Sequence, residues 1–530
     1  MDASSQAFVR YSKGTSVFGV TVCFLVLVAI VYLAVSVFVA FRPELRNLPG
    51  PILARFSGIY RLTLVYGGQA PFNYRRLHQK YGTIVRVGPN HVSVSDPAVI
   101  PQIYGIGANY LKTSFYKVFT PFYQGTPLES LFSTQDPMYH KSLKKPVANL
   151  FSMTNLRYYE VHVDEGTQIF IDAMDDLENE SVDLSKWLQW YAFDVIASIT
   201  FQRRFGFMER RCDVDNMIRD LDLGGGYIKV VTQFPELHQW LIGNKTLMGL
   251  LERLFGELPD AFARFMKITE QEIARYNSEE TAMKAGRTDF LAQLREKEAK
   301  DGQISFRDMM NHLSNNIIAG SDTTAISLRA VFYYLLKTPM VYKKLVTEIG
   351  EADSNKQLSS LITFEESLKL SYLQAVMKEA LRIHPGVAFP LERYIPPEGA
   401  TICGVKLRGG TNISVNPAVI HMSKEVYGED ADQFRPERWI EASPQQLKQM
   451  DRSFLTFGHG ARTCIGKNIS TLEMGKFIPQ ILRHFDLDWV SPQAEWNLEA
   501  AWFWKQSGML VKFKRRVKSS KGVGSLDDGI

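Results

Sequence analysis

The stretch that most restricts what this chain can fold into is 315–336, NNIIAGSDTTAISLRAVFYYLL. Wound as a helix it is apolar almost all round, and such a helix has to be enclosed by other elements. SFRD at Ser305–Asp308 is a capping-box pattern for its start, and Pro339 stops it after Thr338. A helix this long, buried along its length, needs a large core around it. The composition supplies one, with 45% apolar residues among 530. Yet its middle carries Gly320, Ser321, Asp322, Thr323 and Thr324, poor helix formers where polar groups are costly. The Thr323 hydroxyl can bond the Ala319 carbonyl, four residues back, and bend the helix, with Gly320 leaving room beside the bend. A groove, a hydroxyl and a carboxylate then face one spot, which suits proton delivery to something bound there. A packing notch around a satisfied threonine is the simpler alternative.

The rest of the chain reads as mainly helical with a few short strands, an α+β class with small sheets. YGTIVRVGPNHVSVSDP (81–97) alternates and turns at Gly88-Pro89-Asn90, a hairpin pattern. Residues 153–275 read as largely helical, with a break expected at Gly224-Gly225-Gly226, and 387–416 as short strands. At the other end, 17–41 is an uncharged apolar run long enough to span a hydrocarbon core of about 30 Å. It has neither the short apolar region nor the small-residue cleavage site of a signal peptide, so a retained anchor is expected. Charges flank it on both sides and leave its orientation open. The division is then a tail over 1–16, an anchor helix over 17–41, a proline-rich hinge over 42–52, one large domain over 53–515 and a flexible tail over 516–530. A formal charge of +5 is slight for this length and argues against a nucleic-acid binder. The four cysteines are scattered without a CxxC pair, so neither a zinc site nor a disulfide framework is indicated.

Cys464 stands apart from the other cysteines because FGHGARTCIG (457–466) surrounds it with Gly458, Gly460 and Gly466, just before a helix-like run. The glycines permit a tight loop and close approach of a flat ligand. A helix N-terminus favours a thiolate, which suits an axial iron ligand. Arg462 can fork onto a cofactor carboxylate. A buried structural cysteine and a nucleophile are the other readings. Further upstream, KEALRIHP (378–385) places Glu379 and Arg382 three apart on one helix face, and FRPERW (434–439) offers Arg438 to complete a buried cluster. A solvated surface pair is the plain alternative.

These segments, in this order, resemble the cytochrome P-450 family over roughly 45–515. FGHGARTCIG matches its haem-binding signature, AGSDTT its oxygen-activating helix motif, and EALR with FRPERW its Glu-x-x-Arg and companion arginine segments. Within it, LHQKYGTIVRVGPNHVSVSDP, GEDADQFRPERW and CIGKNIS resemble fungal microsomal enzymes of the pisatin-demethylase-like and benzoate-hydroxylase-like groups. The resemblance implies the P-450 fold and a haem b whose iron is held by the Cys464 thiolate. Phe457 would pack near the sulfur, while Arg462 and Arg393, the latter in PLERY, would contact the propionates. Thr323 and Asp322 would deliver protons on the oxygen-binding face beside Ala319 and Gly320, and Glu379, Arg382 and Arg438 would form a structural triad. Many relatives carry Trp and Arg, four apart, where this chain has His140 and Lys144. Neither is bidentate as arginine is, though each can donate to a propionate. Lys141, Lys144 and Lys145 form a basic cluster on the face that receives an acidic reductase in the family.

The implied activity is a membrane-anchored monooxygenase. It would take O2 and electrons from NADPH through a cytochrome reductase to oxidise a small lipophilic substrate, as many relatives do in specialised metabolism. The implied location is the endoplasmic reticulum membrane, single-pass, with the head in the cytosol. Substrate-lining residues are expected in GVAFP (386–390), in the helix wall before Ala319 and in AAWFWKQSG (500–508), whose aromatics favour an apolar or aromatic ligand. Two rivals stand beside it: a haem-thiolate isomerase or dehydratase working without a reductase, and a non-catalytic haem sensor or carrier.

Overall fold

In the computed structural model, the structure describes residues 22–24, 26, 27, 30, 31, 34–242, 244–255, 261–280, 284, 286–301 and 304–516. The helices that position the site are α1 (Pro137–Val147), α2 (Met153–Asp176), α3 (Leu184–Phe201), α4 (Met217–Val231), α5 (Phe306–Lys337), α6 (Ser371–Ile383) and α7 (Lys467–His484). The long buried helix, α5, begins and ends where its caps predict: the Ser305 side chain accepts from the Asp308 amide, and Thr338 is the C-cap. Its enclosure is provided chiefly by α3, of which nearly every residue is buried.

One aromatic ring shows how the helices are locked together. Phe477 of α7 packs on Phe170 of α2 at 4.9 Å between centroids, on Tyr191 of α3 at 4.1 Å and on Phe332 of α5 at 6.1 Å. A fully buried ring at such a junction costs about 3–5 kcal/mol when cut to alanine. Beside it, the buried Lys476 ammonium meets Asp164 of α2 at 3.0 Å.

The hairpin expected at 81–97 forms β1 (Ile84–Gly88) and β2 (His91–Val94). It joins β3 (Leu391–Tyr394) and β4 (Asn412–Val415) in a sheet of order β1-β2-β4-β3, with β2 and β4 parallel and the other pairs antiparallel. Leu45 and Leu48 of the proline-rich segment are buried against this sheet, and the Arg86 amide donates to Pro49 O at 2.8 Å. A second hairpin, β5 (Asn497–Ala500) and β6 (Trp504–Ser507), carries the aromatic turn of the C-terminal region.

One local expectation is corrected. Helix α4 runs without a break through Gly224-Gly225-Gly226. Glycine lowers helix propensity by about 1 kcal/mol per residue, but packing of the same helix can override that. Here Ile218, Leu221 and Ile228 on one face pack into the core.

The anchor read at 17–41 lies partly outside the described residues, which include 22–24, 26, 27, 30, 31 and 34–41 of it. Among the described residues no helix is long and apolar enough to cross a membrane.

Candidate active site

The loop before α7 is a run of tight turns. The Gly458 amide donates to Leu455 O at 2.9 Å, Thr463 to Gly460 O at 3.1 Å and Cys464 to Phe457 O at 2.8 Å. Gly458 and Gly460 adopt φ of +74° and +65°, and a Cβ on Gly460 would lie 2.0 Å from the Tyr104 carbonyl oxygen. Gly460 is therefore required twice, by its dihedral and by the approach of Tyr104. Gly466 is the N-cap of α7. Burial pushes the Cys464 thiol up from its ordinary value, while the amides of Gly466 and Lys467 and the Lys467 charge pull it down. The residue is exposed and lines the cavity rather than being packed away, which removes the buried structural reading and leaves the sulfur open to a ligand there.

Cys464 and Phe457 line a cavity of about 1410 Å³, with Thr323 and Ala319 of α5 also on its wall. Of the basic side chains on its wall, five lie close enough to act on one another's charge: Lys112, His140, Lys144, Arg393 and Arg462. Arg393 donates to the Tyr116 hydroxyl at 3.1 Å. The Lys112 ammonium lies over the Tyr116 and Phe132 rings at 4.2 and 4.4 Å and donates to the Phe132 carbonyl. Burial, followed by Arg393 and Arg462, pushes the Lys112 ammonium well below its ordinary value. Burial, Arg462, Lys112 and Lys144 push His140 down to about 4, and burial with Arg393 lowers Arg462 to about 10. None of the five forms an ion pair within the described residues. Basic groups that oppose one another's charge around one cavity, with no ion-pair partner of their own, call for anions from outside the chain. A flat cofactor with two carboxylates and a metal for the sulfur fits this donor set. Lys112 was not foreseen; its only sequence signal is the aromatic company of NYLKTSFYKVF.

On α5, the Thr323 hydroxyl donates to Ala319 O at 2.7 Å, as its spacing implies. Its neighbours behave differently from expectation. A Cβ on Gly320 would meet Ile196 Cγ1 at 2.7 Å, so this glycine admits the close approach of α3 while it also lines the cavity. Asp322 lines the same cavity as Thr323, but its carboxylate is not free. Its Oδ2 pairs with the Lys505 ammonium at 2.8 Å, and its Oδ1 accepts from the Gln189 amide.

The Glu-x-x-Arg cluster is buried and fully paired. Glu379 Oε1 accepts from Arg382 Nη2 and Arg438 Nε, both at 2.8 Å, and from the Arg435 amide at 3.1 Å. Its Oε2 accepts from Arg382 Nε and Trp439 Nε1, both at 2.9 Å. Glu379 and Arg382 are 0% exposed, which removes the surface-pair alternative. Arg382 also donates to the His421 and Ala431 carbonyls, tying α6 to the segment that leads into the cysteine loop.

The three expected substrate walls do meet in this cavity. Gly386 and Val387, Asn315 and Ile318, and Trp502 and Phe503 all line it. Trp502 packs on Phe115, Phe119 and Phe132 at 5.1–5.5 Å, whereas Trp504 turns away and stacks on His384 at 4.0 Å.

A loop-borne cysteine at a helix start, an anion-seeking ring of cations and a hydroxyl-bearing buried helix around one cavity define a haem-thiolate enzyme. The sequence matches the Cytochrome P450 family over residues 50–513. It is 39% identical over 478 residues to the cytochrome P450 monooxygenase cicH of Emericella nidulans, covering 90% of this chain and 95% of that one. It is 37% identical over 447 residues to a cytochrome P450 monooxygenase of Aspergillus terreus, covering 84% and 90%. With the cytochrome P450 monooxygenase mpaDE of Penicillium roqueforti the identity is 34% over 493 residues, 91% of this chain and 57% of that one. The chain belongs to the cytochrome P450 family. It is a monooxygenase, and its cofactor is a haem with an axial cysteine thiolate.

Proposed function

We propose that this monooxygenase is held at the endoplasmic reticulum membrane by the 17–41 segment, with its head in the cytosol. There it receives electrons from NADPH through a cytochrome reductase and oxidises a small, lipophilic, largely aromatic substrate of fungal secondary metabolism. The observation that carries the reading is the single cavity shared by Cys464, the five basic side chains, Thr323 and the apolar walls. Membrane contact is supported by exposed Ile52, Leu53, Ile59 and Tyr66 and by exposed Leu237, Trp240 and Leu254. Gly58 abuts the Phe234 ring and brings the two stretches side by side. Docking of an acidic reductase is supported by Lys141, Lys144 and Lys145 on α1.

Cys464 would hold the iron, and Arg393, Arg462, Lys112, His140 and Lys144 would hold the propionates. The bound haem supplies activation of O2 for insertion of one oxygen atom into the substrate, the other leaving as water. The chain's own work lies around it. Trp502, Phe503 and Val387 exclude water and orient an apolar ligand. The Thr323 hydroxyl, with its oxygen turned into the cavity wall and its proton on Ala319 O, is the group placed to accept and pass on a proton there.

The test is reconstitution of the full chain with a fungal NADPH–cytochrome reductase and comparison of host extracts with and without the gene by mass spectrometry. A strongly red-shifted ferrous–CO Soret band, lost in Cys464→Ala, and an accumulating compound one oxygen lighter than a lost product are expected. Turnover without reductase or NADPH would transfer the reading to the isomerase class.

A further inference from the structure

The cavity has a polar arm that the apolar substrate walls do not explain. It runs along α5 past Thr323 between α3, α4 and the β5–β6 hairpin, lined by Gln189, Asp222, Asp322, Arg329 and Lys505. Asp183 and Lys186 stand at its outer end. The Lys505 ammonium is shared: Asp322 Oδ2 lies 2.8 Å from it, and it also donates to Asp222 Oδ1. Asp322 is 2% exposed, whereas the Asp222 side chain is 52% exposed. Arg329 donates to Gln189 Oε1 and to Ser185 O, and so fixes the amide that holds the other Asp322 oxygen.

We infer that Lys505 is a positioning residue that couples proton delivery at Thr323 to the seating of substrate, with Asp222 as its second anchor. The inference rests on the monooxygenase reading above and names a control on that same site. With both oxygens of Asp322 engaged, the carboxylate is gripped rather than free to serve Thr323. Its grip is shared by the two elements that face the ligand. Lys505 follows Trp502 and Phe503 on one hairpin, and Asp222 adjoins Leu221 on α4, all of them on the cavity wall. A ligand that moves either element changes the Lys505–Asp222 contact and with it the hold on Asp322. Burial opposes the ammonium charge, and the Asp322 and Asp222 carboxylates more than restore it, so Lys505 stays a cation. Without it the buried Asp322 loses its contact cation and is held by the Gln189 amide alone.

The partition of dioxygen reads this out without a known substrate. Reduced by one NADPH and one proton it leaves as hydrogen peroxide; reduced by two NADPH and two protons it leaves as two waters. The full haem-loaded chain, reconstituted with reductase, NADPH and air, gives this ratio from oxygen, NADPH and peroxide consumed or formed. Lys505→Met is expected to raise the ratio of peroxide to water by about tenfold and to shift its pH profile. Lys505→Arg should restore both, and Asp222→Asn should fall between. Backbone amide exchange of α4 in the resting haem-loaded protein should quicken in Lys505→Met and Asp222→Asn. Unchanged partition and pH profile in Lys505→Met overturn the inference, as does failure of arginine to restore them, since packing would then explain the loss. A parent that binds CO normally but takes up no oxygen with reductase defeats the electron-source reading instead. In that case exchange decides: unchanged α4 exchange in both variants overturns the role of Lys505.

Discussion

Replacing Glu379 by alanine tests whether the buried cluster behind the cysteine loop is as cohesive as its geometry implies. Five donors meet this one carboxylate at 2.8–3.1 Å. Its removal leaves the guanidiniums of Arg382 and Arg438, which are 0% and 3% exposed, without their buried counter-ion. Breaking a buried pair in this way costs about 3–5 kcal/mol, because the surviving charge stays desolvated. Against a total domain stability of about 5–15 kcal/mol, that is a large fraction. Glutamine keeps the shape but loses the charge and turns one acceptor into a donor, so about half the loss is expected. The assay is urea denaturation of the haem-loaded protein, followed by Soret absorbance and tryptophan fluorescence. The pH dependence gives a second check. Burial pushes the Glu379 carboxyl up, but Arg382 and Arg438 outweigh it, so it ionises below its ordinary value near 4.5. A depressed acid contributes stability that is fully present above the unfolded value and is lost as pH falls through the folded one. Glu379→Gln should lose that acid limb. If Glu379→Ala unfolds within about 0.5 kcal/mol of the parent, a loss typical of an inert surface site, the reasoning is refuted.

Gly460→Ala forces a Cβ to 2.0 Å from the Tyr104 oxygen at φ +65°; a loss of about 2–3 kcal/mol in thermal unfolding and weaker haem retention are expected. Lys112→Met should act with opposite signs on the two forms, stabilising the haem-free chain by relieving repulsion from Arg393 and Arg462 while speeding haem loss to an acceptor such as apomyoglobin. Glu473 is 1% exposed, neither of its carboxyl oxygens has a hydrogen-bond partner among the described residues, and burial raises it well above 4.5. The folded state therefore binds the extra proton, and stability falls with rising pH between the unfolded and folded values. Glu473→Gln should match the parent near pH 4 and exceed it by about 1.4 kcal/mol per pH unit above that until the folded value is reached, read by denaturation across pH.

What could be read from the sequence was whatever chemistry fixes within a few neighbouring residues. The loop around Cys464 and the Glu379–Arg382 pair are of this kind: a turn, a helix start or a three-residue spacing sets the geometry, so spelling and structure agree. Even so, a backbone preference loses where packing is strong, which is why α4 continues through its glycines. Lys112 meets Arg462, and Lys505 meets Asp322, only because the topology folds distant segments onto one cavity, and no local spacing announces such pairs. Asp322 shows where local reading misleads. It adjoins Thr323 in sequence, and AGSDTT invites the view that both face one spot. Successive residues on a helix point about 100° apart, so the Asp322 carboxylate reaches Gln189 and Lys505 while the Thr323 hydroxyl turns back to Ala319. On the inference drawn above, the hairpin that holds Asp322 through Lys505 is a support of proton delivery as well as part of the substrate wall.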